Sequence, residues 1–267
     1  MKLILSRKGF DSSFGGCASP ILPDGTMLSM PIPGNGPLSF DQIQYGDISG
    51  DVLWKQLAPK RYDPHSRCHL DPDIRAEWWI SLPHGWTPSF GQCDAAQSHL
   101  QNQGVGIGDI FLFFGWFRRV EYSAGRLRFV QGAPDIQAIY GYLQIGEILS
   151  GNAIQERFPW HPHADAAFQN TKNNTLYIPT QELCLDGQET GLPGSGTLCY
   201  DKKRVLTAPG QRRRYWKLPD WMQSVNISYH SPECFHDGFF ESRCRGQEFV
   251  IEDSPNNTDW VQQLLCD

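Results

Sequence analysis

The sequence predicts an α+β fold: a strand-rich single domain built on a small, partly closed β-barrel-like sheet, with few short helices. Three observations predict it. Turn formers abound, with 26 Gly and 19 Pro in 267 residues while only 19% are charged, a profile that favours strands and structured loops over long helices. The apolar run 110–117 reads as a buried strand fed by the glycine-rich turn Gly106-Ile107-Gly108-Asp109. A return strand at 126–131 and a further aromatic strand at 139–148 follow; closure of such strands hides sheet edges, and glycines permit the bends.

In chain order, Leu3, Ile4 and Leu5 form a short strand that breaks into a polar loop. That loop carries Arg7, Lys8, Asp11, Ser12 and Ser13 among Gly9, Gly15 and Gly16. Residues 20–37 read as strands and turns with a hairpin around Asp24-Gly25. Ser39-Phe40-Asp41-Gln42 opens a short helix, and residues 95–100 form a helical turn or two closed by Gly104. Residues 175–178 and 246–251 are strands and 187–196 is a Gly-rich connector. A terminal helix spans 259–265, capped by Thr258 or Asn257. With no repeat and no clean linker, residues 1–267 read as one integrated domain whose barrel-like segment covers about 90–150.

The longest apolar run is far too short to cross a bilayer, and no secretory signal core precedes it, so a cytoplasmic protein is expected. The eight cysteines are scattered and read as mostly reduced and buried. The net charge of -6 argues against a protein that coats DNA. One segment runs the other way: Lys202, Lys203, Arg204, Arg212, Arg213, Arg214 and Lys217 stand close together without an acid. With Tyr215 and Trp216 beside them, they could hold a phosphate backbone or simply form a solvated ridge.

The opening loop is dense enough in reactive groups to suggest a site. Arg7 and Lys8 can grip an anion and Ser12 can bond to it, while Asp11 can serve as base or metal ligand. Arg245-Gly246-Gln247-Glu248 repeats the theme at a second strand start, so Arg245, Gln247 and Glu248 join the candidates. The amide-rich block with Gln92, Gln97 and His99 can pair with base edges, Trp116, Phe117 and Tyr140 nearby can stack on a base face, and Arg118 joins them as a ligand-binding candidate. Amides also satisfy buried backbone, and aromatics fill cores.

Three histidine groups could donate metal ligands: His69 with Asp71 and Asp73, His161 with His163 and Asp165, and His230 with His236 and Asp237. None has a recognised zinc spacing, no nucleophile elbow is present, and the glycine run at 104–108 precedes a strand, unlike a phosphate loop. The cofactor is left open, and a divalent metal held by residues from distant loops is one candidate. Asp11, His69, Asp71 and Glu248 are the candidates for acid, base or metal ligand.

Several of these strings together resemble the nucleotide modification associated domain 3 family. They are Ser6 to Ser12 with Gly15-Gly16, the His69-Leu70-Asp71-Pro72-Asp73 block, Phe90-Gly91-Gln92 through Leu100 to Gly115, and Gly246-Gln247-Glu248-Phe249; the resemblance spans nearly the whole chain. The family's name reflects genomic association with base-modification systems of phages and bacteria, so the resemblance implies a link to modified nucleic acid. Residues from about 91 to 148 are also similar to barrels of the PUA, ASCH and EVE kind, which hold a nucleotide or flipped base in an aromatic-lined cleft. The expectation is a protein that binds a nucleotide or nucleic-acid base and possesses a link to DNA or RNA base modification. Alternatives are a metal-assisted hydrolase or transferase acting on a nucleotide, and a non-catalytic scaffold of a modification or phage-defence operon.

Overall fold

The computed structural model describes residues 1–243 and 246–265. Its centre is a nine-stranded sheet. In chain order the strands are β1 (Leu3–Arg7), β2 (Ser19–Ile21), β3 (Phe90–Gln92), β4 (Ile110–Ser123), β5 (Arg126–Phe129), β6 (Ile136–Ser150), β7 (Thr175–Pro179), β8 (Ser195–Thr197) and β9 (Glu248–Ile251). Across the sheet they run β9-β1-β4-β6-β7-β3, with β2 and β5 pairing β4 and β8 pairing β6. The sheet curls into a half-barrel, so the architecture is α+β and strand-rich. Register shifts at Ile139/Gly141 and Ile145/Glu147 bend the long β6, as bulges do.

β1 lies parallel to β4, with Leu3 opposite Ile110 and Arg7 opposite Phe114. The Gly-Asp turn fixes this pairing: Asp109 Oδ1 accepts from the Lys2 N–H at 2.7 Å and Oδ2 from the Gly106 N–H at 3.0 Å. Leu3, Ile4, Leu5 and residues 110–114 are fully buried, which explains their unbroken apolar runs. A second apolar cluster around Phe10, Phe40 and Trp54 anchors the loop that leaves β1.

Among the described residues five α-helices accompany the sheet: α1 (Gly50–Leu57), α2 (Asp94–Asn102), α3 (Asn152–Arg157), α4 (Ala166–Gln169) and α5 (Pro255–Leu265). α5 begins at Pro255, earlier than the expected 259, because proline suits the first helical turn. α1, α3 and α4 stand outside the expected elements: α1 buries only Gly50, Leu53 and Trp54, too few positions for a helical repeat, and α4 is four residues long. The expected connector at 187–196 is largely strand instead, with Gln188–Pro193 pairing Glu182–Leu185 and β8 joining the main sheet. Cys17, Cys68 and Cys234 are buried, Cys199 is exposed, and all the described cysteines are free. Among the described residues no helix is long and apolar enough to cross a membrane.

Candidate functional site

Where β1 ends, the chain leaves the sheet through Lys8 and Gly9, held by the Lys8 N–H donating to Phe114 O at 2.9 Å. This segment forms the wall between two cavities. One, of about 490 Å³, is lined by Arg7, Lys8, Asp11, Phe14, Asn35, His69, Asp71, Gln92, His163, Phe168 and Gln247. The other, of about 400 Å³, is lined by Arg7, Lys8, Asp11, Ser12, Trp116, Arg212, Arg213, Arg214 and Arg243. Each volume falls in the range of about 300–1,000 Å³ usual for small-molecule sites.

The second cavity is cationic. Arg213 lays its guanidinium 3.7 Å from the Trp116 ring centroid, and Trp116 is itself fixed by its Nε1 donating to Asp135 at 2.9 Å. Burial pulls the Arg213 pKa below its ordinary value, with Asp135 and Asp11 opposing. Arg214 pairs with Glu241 at 2.8 Å. Arg7 packs its guanidinium between Phe114 and Phe249, 5.7 Å from each ring, and donates to Arg243 O at 2.9 Å, so the group is held in place where it lines both cavities. Such planar, prepositioned guanidinium groups suit phosphate or carboxylate.

The first cavity is centred on Asp71. The strand Arg67–His69 pairs with Ile32–Ser39 and delivers His69, and Asp71 follows two residues later. The short 3-10 turn Pro162–Ala164 brings in His163. Asp71 Oδ2 lies 3.5 Å from His69 Nε2 and 3.5 Å from His163 Nε2, and Oδ1 lies 3.6 Å from His161 Nε2. Oδ1 also accepts the Gly91 N–H at 2.8 Å. Gly91 must lack a side chain here, since a Cβ would stand 2.6 Å from His163 Nε2. The ligand atoms of His69, Asp71 and His163 all lie within 4.8 Å of one another.

Burial works against the charge on Asp71, but the surrounding imidazoles, His161 foremost, override it and hold the carboxyl well below its ordinary value. Burial pushes His161 down to about 4, so at neutral pH this ring is uncharged. Phe168 stacks on His163 with centroids 4.5 Å apart, closing one side. Cys93 lines the same cavity, and burial beside Asp94 raises its thiol pKa, which keeps it protonated.

The structure thus brings together Arg7, Lys8, Asp11, Ser12, His69, Asp71, Gln92, Trp116, Gln247, Arg212, Arg213 and Arg214 around one stretch of chain. Glu248 stands behind the wall, 1% exposed, accepting from Lys8 Nζ at 2.9 Å and Gln92 Nε2 at 2.7 Å. Asp11 braces its own loop: Oδ1 accepts the N–H groups of Ser13 and Phe14, both at 2.7 Å. Other candidates sit outside the lining of both cavities. Gln97 is buried and accepts from Tyr177 Oη at 2.9 Å, His99 pairs with Ser228 Oγ at 3.0 Å, and Arg118 donates to Val130 O at 3.1 Å. Lys202, Lys203 and Arg204 share one 3-10 turn, in which Arg204 is buried, bonding Leu264 O and Cys199 O. Arg245 lies outside the described residues.

Sequence reasoning missed Phe14, Asn35, Phe168 and Arg243 as lining residues, and it placed His69 and His163 in separate groups. Two of the acids written beside them have other work. Asp73 accepts from the indoles of Trp79 and Trp86, and Asp165 caps α4 by accepting the Ala167 N–H. The alternation His161-Pro162-His163 was the available signal, because proline starts the turn that presents both rings.

No curated protein and no solved structure matches this chain. A family model described as nucleotide modification associated domain 3 matches residues 2–252. The match takes in β1 through β9 and both cavity walls, and the chain belongs to that family.

Proposed function

We propose that the protein binds a nucleotide, free or as one unit of a nucleic acid, and takes part in modifying its base. The phosphate occupies the arginine cavity, and the base and sugar occupy the His/Asp cavity. The observation that carries this reading is the shared wall: Arg7, Lys8 and Asp11 line both compartments, one cationic and one polar with amides and aromatic faces. A nucleotide has the same division, an anion joined to a planar ring with donor and acceptor edges. Gln92, Asn35 and Gln247 supply edge partners, and Phe14, 49% exposed at the cavity, offers a stacking face. Family membership supports the same substrate class.

Titration with a panel of nucleotides, nucleosides and short oligonucleotides, including modified bases, tests this. Charge-assisted bonds contribute about 1.5–3 kcal/mol each, so nucleotides are expected to bind roughly 10–100-fold tighter than the matching nucleosides. Equal binding of the two, or binding of neither, would overturn the proposal. A second reading, catalysis on the bound nucleotide, is favoured by the His–Asp cluster in the base compartment. It predicts that Asp71→Asn retains nucleotide binding and loses product formation.

A further inference from the structure

We infer that His69, Asp71 and His163 form a divalent transition-metal site of the tetrahedral, zinc-binding class, with its open position toward the larger cavity. Hydrogen bonding fixes the ring tautomers. His69 Nδ1 faces Asn35 O at 2.8 Å; a carbonyl accepts, so Nδ1 carries a proton, and Nε2 of the neutral ring carries a lone pair. His163 Nδ1 faces Asn174 Oδ1 at 2.7 Å, and the Asn174 amide is oriented by its Nδ2 donating to His163 O at 2.9 Å. Nε2 of His163 therefore also presents a lone pair. Both lone pairs converge on Asp71 Oδ2.

Three electron-rich atoms facing one another repel unless a cation lies between them. The rest of the pocket prepares for one. Asp71 Oδ1 is occupied by the Gly91 N–H. The His161 ring faces the same oxygen through Nε2 and accepts the His163 N–H on Nδ1 at 3.2 Å, which places its proton on Nε2. Oδ1 is thus the oriented oxygen and Oδ2 the ligand, with the Nδ1–H groups held by oxygen acceptors as in established zinc sites. Two of the three ligand–ligand separations, both to Asp71 Oδ2 at 3.5 Å, match the edge of about 3.4 Å for tetrahedral zinc with bonds of about 2.1 Å, and the third lies within 4.8 Å. Octahedral coordination at that bond length would need an edge of about 3.0 Å. All three ligands line the cavity, so the fourth position is open to water or to a ligand oxygen, the arrangement of catalytic zinc sites.

Chelator-stripped protein titrated with Zn²⁺ and with Co²⁺ tests the site without any nucleotide, so its outcome is separate from that of the nucleotide reading. One equivalent is expected to bind, with the intense visible absorption of tetrahedral Co²⁺, and Mg²⁺ should not compete. Asp71→Asn and His163→Gln should each weaken Zn²⁺ binding by at least about 100-fold, and His161→Gln by about 10–100-fold as an orienting partner. Circular dichroism reports which variants are folded, and His69→Gln, at the most exposed of the three ligands, stands in for any that is not. Failure of the stripped protein to bind either metal, or unchanged binding in a folded ligand variant, would overturn the inference.

Discussion

Removing the Glu248 carboxylate strands a buried ammonium, and the size of that loss can be worked from the structure. Glu248 Oε1 takes Lys8 Nζ at 2.9 Å, with side chains 1% and 10% exposed, and Gln92 Nε2 at 2.7 Å. Breaking a buried pair by deleting one partner destabilises by about 3–5 kcal/mol. Lys8 retains its contact with the Phe90 ring, 4.4 Å from the centroid, which places Glu248→Ala near the lower end, about 3 kcal/mol. With 267 residues at about 2.1 cal/mol/K each, the unfolding entropy is about 0.56 kcal/mol/K, and the expected fall in Tm is about 5 °C. Urea unfolding followed by tryptophan fluorescence, with calorimetry, measures both numbers for Glu248→Ala, Glu248→Leu, Lys8→Met and the double variant Lys8→Met/Glu248→Leu. The double variant should recover most of the loss, since neither charge is then left unpaired. A loss below about 1 kcal/mol in Glu248→Ala, or simple additivity in the double variant, would refute the reading of Glu248 as a brace for the cavity wall.

Three further outcomes are expected. Gly91→Ala puts a Cβ 2.6 Å from His163 Nε2, where ordinary contact begins at 3.4 Å; the ring must retreat, and Zn²⁺ affinity should fall at least about tenfold while circular dichroism keeps the strand signal. Arg213→Ala removes the guanidinium stacked on Trp116; nucleotide affinity should drop roughly 10–100-fold with a change in tryptophan emission and little change in Tm. Burial holds the pKa of His230 and of His99 below the ordinary 6.5. The unfolded chain therefore binds more protons, and these groups lower stability as pH falls through 6.5. Since His230 Nε2 accepts the Arg243 N–H at 3.0 Å, protonation also breaks a bond behind the arginine cavity; Tm measured from pH 8 to 5 should decline less in His230→Gln than in the parent, and an equal or steeper decline would contradict the assignment.

The sheet was legible because its strands are buried on both faces and so read as unbroken apolar runs. Residues 110–117 and 139–148 were found on that ground, and both strands extend further, to Ser123 and to Ser150. The extensions could not be seen because β4 becomes half-exposed from Arg118 onward, where polar residues dilute the pattern. The parallel pairing of β1 with β4 was also hidden. It joins residues more than a hundred positions apart, and its lock is a pair of backbone bonds to Asp109 that any turn-forming aspartate could make.

For the site, residue types were legible and partnerships were not. Arg7 and Lys8, and separately Arg212 to Arg214, each read as cationic groups, but nothing local places two segments some two hundred residues apart around one cavity. The histidines show why spacing misled. Asp73 and Asp165 stand as close in sequence to the rings as any ligand would, yet one is held by indoles and the other caps a helix. An acid near a histidine has many local uses, so adjacency alone carries little information. What separates Asp71 is that its partners arrive from two other segments as well as from its neighbour His69. Gly91 comes from β3, His161 and His163 come from the turn before α4, and each ring's second nitrogen is already committed elsewhere. A chance salt bridge needs no such commitments, whereas a cation site does, because its ligands must be held with lone pairs inward before the ion arrives.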